Sequence, residues 1–114
     1  MRGTFEVCQA LLAAGADCNI NDACGDTPLH DAATLGKPDV CQALLAAGAD
    51  CNIKNERGDT PLHKAIWGGI EVCQALLAAG SDFNIRNGDG LTPLDRARYW
   101  KRHAVVALLE KATP

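Results

Sequence analysis

Apolar residues along this chain fall in short blocks whose spacing is helical. Val40, Leu44 and Leu45 lie four and five positions apart and so share one face of a helix. The same trio recurs as Val7, Leu11 and Leu12, and again as Val72, Leu76 and Leu77. A second block, Thr27-Pro28-Leu29-His30, recurs as Thr60-Pro61-Leu62-His63 and Thr92-Pro93-Leu94-Asp95. A threonine hydroxyl accepts from a first-turn amide, and a proline just inside the turn gives up no hydrogen bond, so each block predicts a helix start. That helix stops at Gly36, or at Gly68-Gly69. The next opens at Pro38-Asp39, with a carboxylate near its positive end, and stops at Gly48, which tolerates a left-handed cap. Residues 49–58 are dense in turn formers and read as an extended loop or hairpin.

The blocks keep a period. From Cys8 to Cys41 is 33 residues and from Cys41 to Cys73 is 32; from Thr27 to Thr60 is 33 and from Thr60 to Thr92 is 32. The stretch from Glu6 to Ile20 returns almost unchanged from Asp39 to Ile53, and again from Glu71 to Ile85 with Ser81 and Phe83 as changes. Each unit is therefore turn, helix, helix, extended loop. A unit this small cannot cover its own apolar face, so the units must stack.

These residues resemble the ankyrin-repeat family, whose motif carries Thr-Pro-Leu-His, then Leu-Leu, then Gly-Ala-Asp-x-Asn. The resemblance covers nearly all of residues 5 to 110. It implies an all-α solenoid of stacked helix-turn-helix units joined by hairpin loops, with hairpin tips and first helices lining a concave face. It also implies recognition of a protein or peptide on that face. The expected organisation is one domain over 1–114: a half repeat at 5–21, full repeats at 22–54 and 55–86, and a capping repeat at 87–114. The first helix of the first repeat is missing, so the helix from Phe5 to Ala14 lacks its partner and is an expected point of self-association. A fragment of a longer array fits that uncapped start. At the other end, Glu110 and Lys111 replace an Ala-Ala pair, as a terminal cap needs.

Composition narrows the function. Hydrophobic residues make up 47% and charged residues 22%, enough for an ordered core, yet aromatics are only 4%. The net charge of −3 argues against general nucleic-acid or anionic-membrane binding. The one basic and aromatic cluster, Arg96 to Arg102, reads instead as a solvated cap helix with cations near its C-terminus. No apolar run approaches a membrane span, and no secretory signal is evident. The six cysteines follow the repeat, with Cys8, Cys41 and Cys73 equivalent, as are Cys18 and Cys51, with Phe83 in the third copy of that slot. Equivalent positions in stacked units stand too far apart for disulfides, so free thiols in a reducing, intracellular compartment (cytoplasm or nucleus) are expected. Cys24, at a hairpin tip, is the exposed exception.

No enzyme emerges. His30 and His63 have no third partner at catalytic spacing, and the family resemblance assigns their rings to bracing the loops. No Cys-x-x-Cys pair points to zinc, and the Asp17 and Asp82 stretches lack the glycine and glutamate of a calcium loop, so no metal or cofactor is expected. Asn19, Asn52 and Asn84 stand where the family's pattern resembles targets of an asparaginyl hydroxylase, although bracing the loop by hydrogen bonds is the plainer role. The partner-binding face is read from positions that vary while the framework repeats: Asp31, Lys64 and Arg96; Leu35 and Trp100; Trp67 and Tyr99; and the tip residue Arg57. Trp67 and Tyr99 are expected side by side along the groove, with Trp100 next to the space left by Gly68. Large rings with polar handles concentrate binding energy. The alternative for the tryptophans is packing over the inter-helix turn. The alternative for the whole chain is an architectural spacer without its own ligand.

Overall fold

The computed structural model describes residues 22–112. Six helices follow in pairs: α1 Pro28–Leu35 and α2 Pro38–Ala46, α3 Pro61–Gly68 and α4 Ile70–Ala78, α5 Pro93–Tyr99 and α6 His103–Ala112. Among the described residues no strand forms; the connecting hairpins are built from turns. The half repeat at 5–21, Asn19 and the helix expected from Phe5 to Ala14 lie outside the described residues.

Helix starts follow from the repeated threonines. The Thr27 side chain accepts from the His30 amide, and the His30 ring accepts from the Thr27 amide, so two otherwise unpaired backbone donors are satisfied reciprocally. Thr60 with His63, and Thr92 with Asp95, close the same box. α1 ends on Gly36, whose left-handed backbone (φ 69°) turns the chain into α2.

The first helices α1, α3 and α5 stack side by side in one layer, and α2, α4 and α6 in a second. The core between them holds Leu29, Val40 and Leu44 from the first pair, Leu62, Ile66, Val72 and Leu76 from the second, and Val105 and Leu109 from the third. Each buried Leu or Ile contributes about 1.5–3 kcal/mol. Cys41 and Cys73 are fully buried among them, while Cys51 and Phe83 share a partly buried slot at the loop. Small residues set the spacing: Ala32, Ala33 and Ala65 are buried between the inner helices. Gly68 is part of this close approach. A Cβ there would overlap the Ala33 carbonyl oxygen, so the space beside Gly68 belongs to the preceding repeat and not to Trp100. Ser81 replaces the alanine of the other copies, and among the described residues its buried hydroxyl finds no partner.

Candidate partner-binding surface

The hairpins are cross-linked by one polar scheme. Asn55 Oδ1 accepts from the amides of Arg57 and Asp59, and its Nδ2 donates 2.8 Å to Asp26 of the preceding hairpin. Asn87 repeats this, donating 2.9 Å to Asp59. Behind the tips, the histidines reach forward. Because the Thr27 amide donates to His30 Nδ1 at 3.0 Å, the ring proton resides on Nε2, which donates 2.8 Å to the Asp59 carbonyl. His63 does the same toward Leu91. Burial holds the His63 ring below its ordinary pKa, in the neutral form this network requires. The histidines are thus structural links, fully enclosed.

Asp59 carries a second bond. Its Oδ2 lies 3.0 Å from Arg96 Nη1, with the Asp59 side chain 2% and the Arg96 side chain 18% exposed. The Arg96 cation is therefore matched by a buried carboxylate. Asp59 and its preceding copy, Asp26, stand immediately before the threonine caps; that alignment is visible in the sequence, but only the geometry shows the carboxylate aimed at the next repeat.

An open cavity of about 410 Å³ lies between the hairpin tips and α5. Arg57, Asp59, Asp89, Arg96, Tyr99 and Trp100 line it, together with Asn87 and Leu91. Arg57, Arg96, Tyr99 and Trp100 are thus brought together. Trp67 joins through contact with Trp100, ring centroids 5.3 Å apart, and Tyr99 meets Trp100 edge-on at 5.1 Å. The expected pairing of Trp67 with Tyr99 is corrected here: Trp100 stands between them. The reason is helix length, since α5 ends at Tyr99 and Trp100 leaves the helix as its cap. Arg102, which no repeat pattern marked, places its guanidinium 5.6 Å from the Trp67 ring centre and donates to the Ile66 carbonyl. Trp67 therefore covers the α5–α6 turn, in contact with Trp100 and Arg102. The remaining exposures are 39% for Trp67, 49% for Trp100, 70% for Tyr99 and 66% for Leu35.

Asp31, Leu35 and Lys64 lie outside that cavity. Lys64 is half-buried on α3. Asp31 gathers with Asp22 and Asp26, their carboxylate oxygens within 4.8 Å of one another. Its carboxyl is held above the usual range, first by burial and then by repulsion from Asp26 and Asp22. Asn52 braces its neighbour, accepting 2.8 Å from the Asp82 amide, while Asn84 donates its own amide to Asp82.

Family models for ankyrin repeats match residues 1–87, as three copies, and residues 66–110. The chain belongs to the ankyrin-repeat family. No curated protein matches it closely enough to count as a relative. Ankyrin repeats are generally protein–protein interaction modules, typically without catalytic activity. Two rows of ankyrin helices with cross-linked hairpins form a solenoid, and among the described residues no helix is long and apolar enough to cross a membrane.

Proposed function

We propose that this ankyrin stack binds a partner protein or peptide through its concave face, anchored at Tyr99, Trp100 and Trp67. The observation that carries the reading is the cavity lined by two exposed aromatic rings, Tyr99 and Trp100, in a chain whose described core uses none. Aromatic side chains beside polar rims are where interfaces concentrate affinity. Arg57 and Lys64 flank the anchors as cations; Arg96, already paired with Asp59, contributes shape more than charge. Asp31 and Leu35 extend the same face onto α1. Buried thiols at Cys41 and Cys73 support a reducing, intracellular setting.

Tyr99→Ala is the cleanest probe, because its ring is the most exposed of the three. Capture of a partner from cell lysate by the isolated chain, followed by affinity measurement, should show about 2 kcal/mol or more lost in Tyr99→Ala at unchanged melting temperature. Capture that is indifferent to Tyr99, Trp100 and Trp67 would return the chain to the spacer reading.

A further inference from the structure

The third hairpin carries the run Asn87-Gly88-Asp89-Gly90 at its tip. Of the six asparagines in the chain, Asn87 alone precedes a glycine; the others precede Ile20, Asp22, Ile53, Glu56 and Ile85. Asparagine is thermally labile because the next backbone nitrogen can attack its side-chain carbonyl carbon, and a side chain on that next residue hinders the approach. Glycine offers no such hindrance. Stacking accounts for the glycine. Gly88 N donates to the Arg57 carbonyl oxygen at 2.8 Å, and a Cβ on Gly88 would stand 2.8 Å from the same oxygen. One hairpin earlier the equivalent bond, from Glu56 to Cys24, is 3.1 Å long and a side chain is accommodated.

The closed hairpin restrains the reaction. Gly88 N has its proton engaged by Arg57, and Asn87 is held at both ends of its amide: Oδ1 accepts from the amides of Asp89 and Leu91, and Nδ2 donates to Asp59. The tip itself is exposed, with Gly88, Asp89 and Gly90 open to water and Asn87 partly so. Exposed turns with few apolar contacts open at a small fraction of the global unfolding free energy, and opening frees both reacting groups.

We propose that Asn87 is a site of spontaneous covalent modification, released by opening of the third hairpin, whose product unlinks the last repeat from the one before it. The Gly88 nitrogen bonds to Cγ of Asn87, the Cγ–Nδ2 bond breaks, and ammonia leaves with the proton that Gly88 gave up. Water then adds to the cyclic imide and opens it at either carbonyl, leaving aspartate or isoaspartate at position 87. No oxidant or reductant takes part. An aspartate there has no N–H for Asp59 and sets a second carboxylate where the amide nitrogen stood, 2.9 Å from the first. Like charges that close repel. Isoaspartate also lengthens the backbone by one carbon and draws Oδ1 away from the amides of Asp89 and Leu91. Asn87, Asp59 and Arg96 all line the cavity beside Tyr99 and Trp100, so either product makes that surface more negative.

The test incubates the intact chain at mildly alkaline pH, folded and in urea, and follows the tryptic fragment 87–96 by mass spectrometry; Asn87 is its only asparagine. The mass gain of an amide turned acid should appear in the folded chain over weeks, confined to this fragment, and about tenfold or more faster in urea. The converted chain, separated by its extra negative charge, should melt about 5–10 °C below the unconverted one, and Asn87→Asp should reproduce a loss of that size. Conversion at another asparagine as fast as at Asn87, or none at Asn87 in the folded chain, overturns the site. A rate unchanged by urea overturns the opening step. A converted chain that melts with the unconverted one overturns the unlinking.

Discussion

Replacing Asp59 with asparagine changes one atom and tests how neighbouring repeats hold each other. In the native chain each carboxylate oxygen has its own donor: Asn87 Nδ2 at 2.9 Å and Arg96 Nη1 at 3.0 Å. An amide at this place keeps one acceptor and sets an N–H₂ against the other donor. One charge-assisted bond, worth about 1.5–3 kcal/mol, is therefore lost. Arg96 is also left mostly enclosed without its counter-charge, and a broken buried pair adds to the cost. The sum is about 2–3 kcal/mol, which for a chain of this size lowers the melting temperature by roughly 10–20 °C. Urea unfolding followed by circular dichroism measures it, and a double variant, Asp59→Leu with Arg96→Met, supplies the control. Removing both charges leaves no orphan, so the double variant should be more stable than Asp59→Asn. A loss below about 0.5 kcal/mol in Asp59→Asn, or a double variant less stable than the single, refutes the reasoning.

Four further outcomes follow from the geometry. Lys101 is the one described non-glycine with positive φ (57°), in the place that Gly36 and Gly69 fill elsewhere; Lys101→Gly should gain about 0.5 kcal/mol, the left-handed cost less the entropy glycine adds to the unfolded chain, and a lower melting temperature would contradict it. Ser81→Ala should stabilise by about 1 kcal/mol in the same urea assay, by removing a buried hydroxyl without a partner. The lowered pKa of His63 means stability is fully present above its unfolded value near 6.5 and is lost as pH falls toward the folded value; by NMR its ring should titrate below the ordinary imidazole range, and titration at or above that range would contradict burial as the dominant influence on it. Burial pushes the Cys41 thiol up to about 11 and the Cys73 thiol up to about 12, so a thiol reagent at pH 8 should label exposed Cys24 at once and these two only after unfolding.

The stack was legible in the sequence because its determinants are local and periodic. Thr27 and Thr60, the prolines after them and the Val-Leu-Leu face each fix a helix through contacts within a few residues, and repetition made each helix visible three times. The site was legible only as a set of changing positions. Which rings touch depended on α5 ending at Tyr99, a matter of packing that no repeated residue encodes. Arg102 lies in a turn with no counterpart charge in the second described repeat, where Ile70 stands. The neutralisation of Arg96 by Asp59 joins residues from different repeats, and that pairing is a property of the stacking geometry alone.

The forward reach of the histidines gives the links of this solenoid a direction. His30 and His63 each close a cap within their own unit and spend the opposite nitrogen on a carbonyl of the unit that follows. Asp95 closes the same cap with a carboxylate and holds no N–H to offer onward. A copy spliced between residues 54 and 55 would find a grip on both sides and become an ordinary internal storey. At the third unit this onward histidine bond is not made, because Asp95 carries no N–H; histidine at position 95 would supply one.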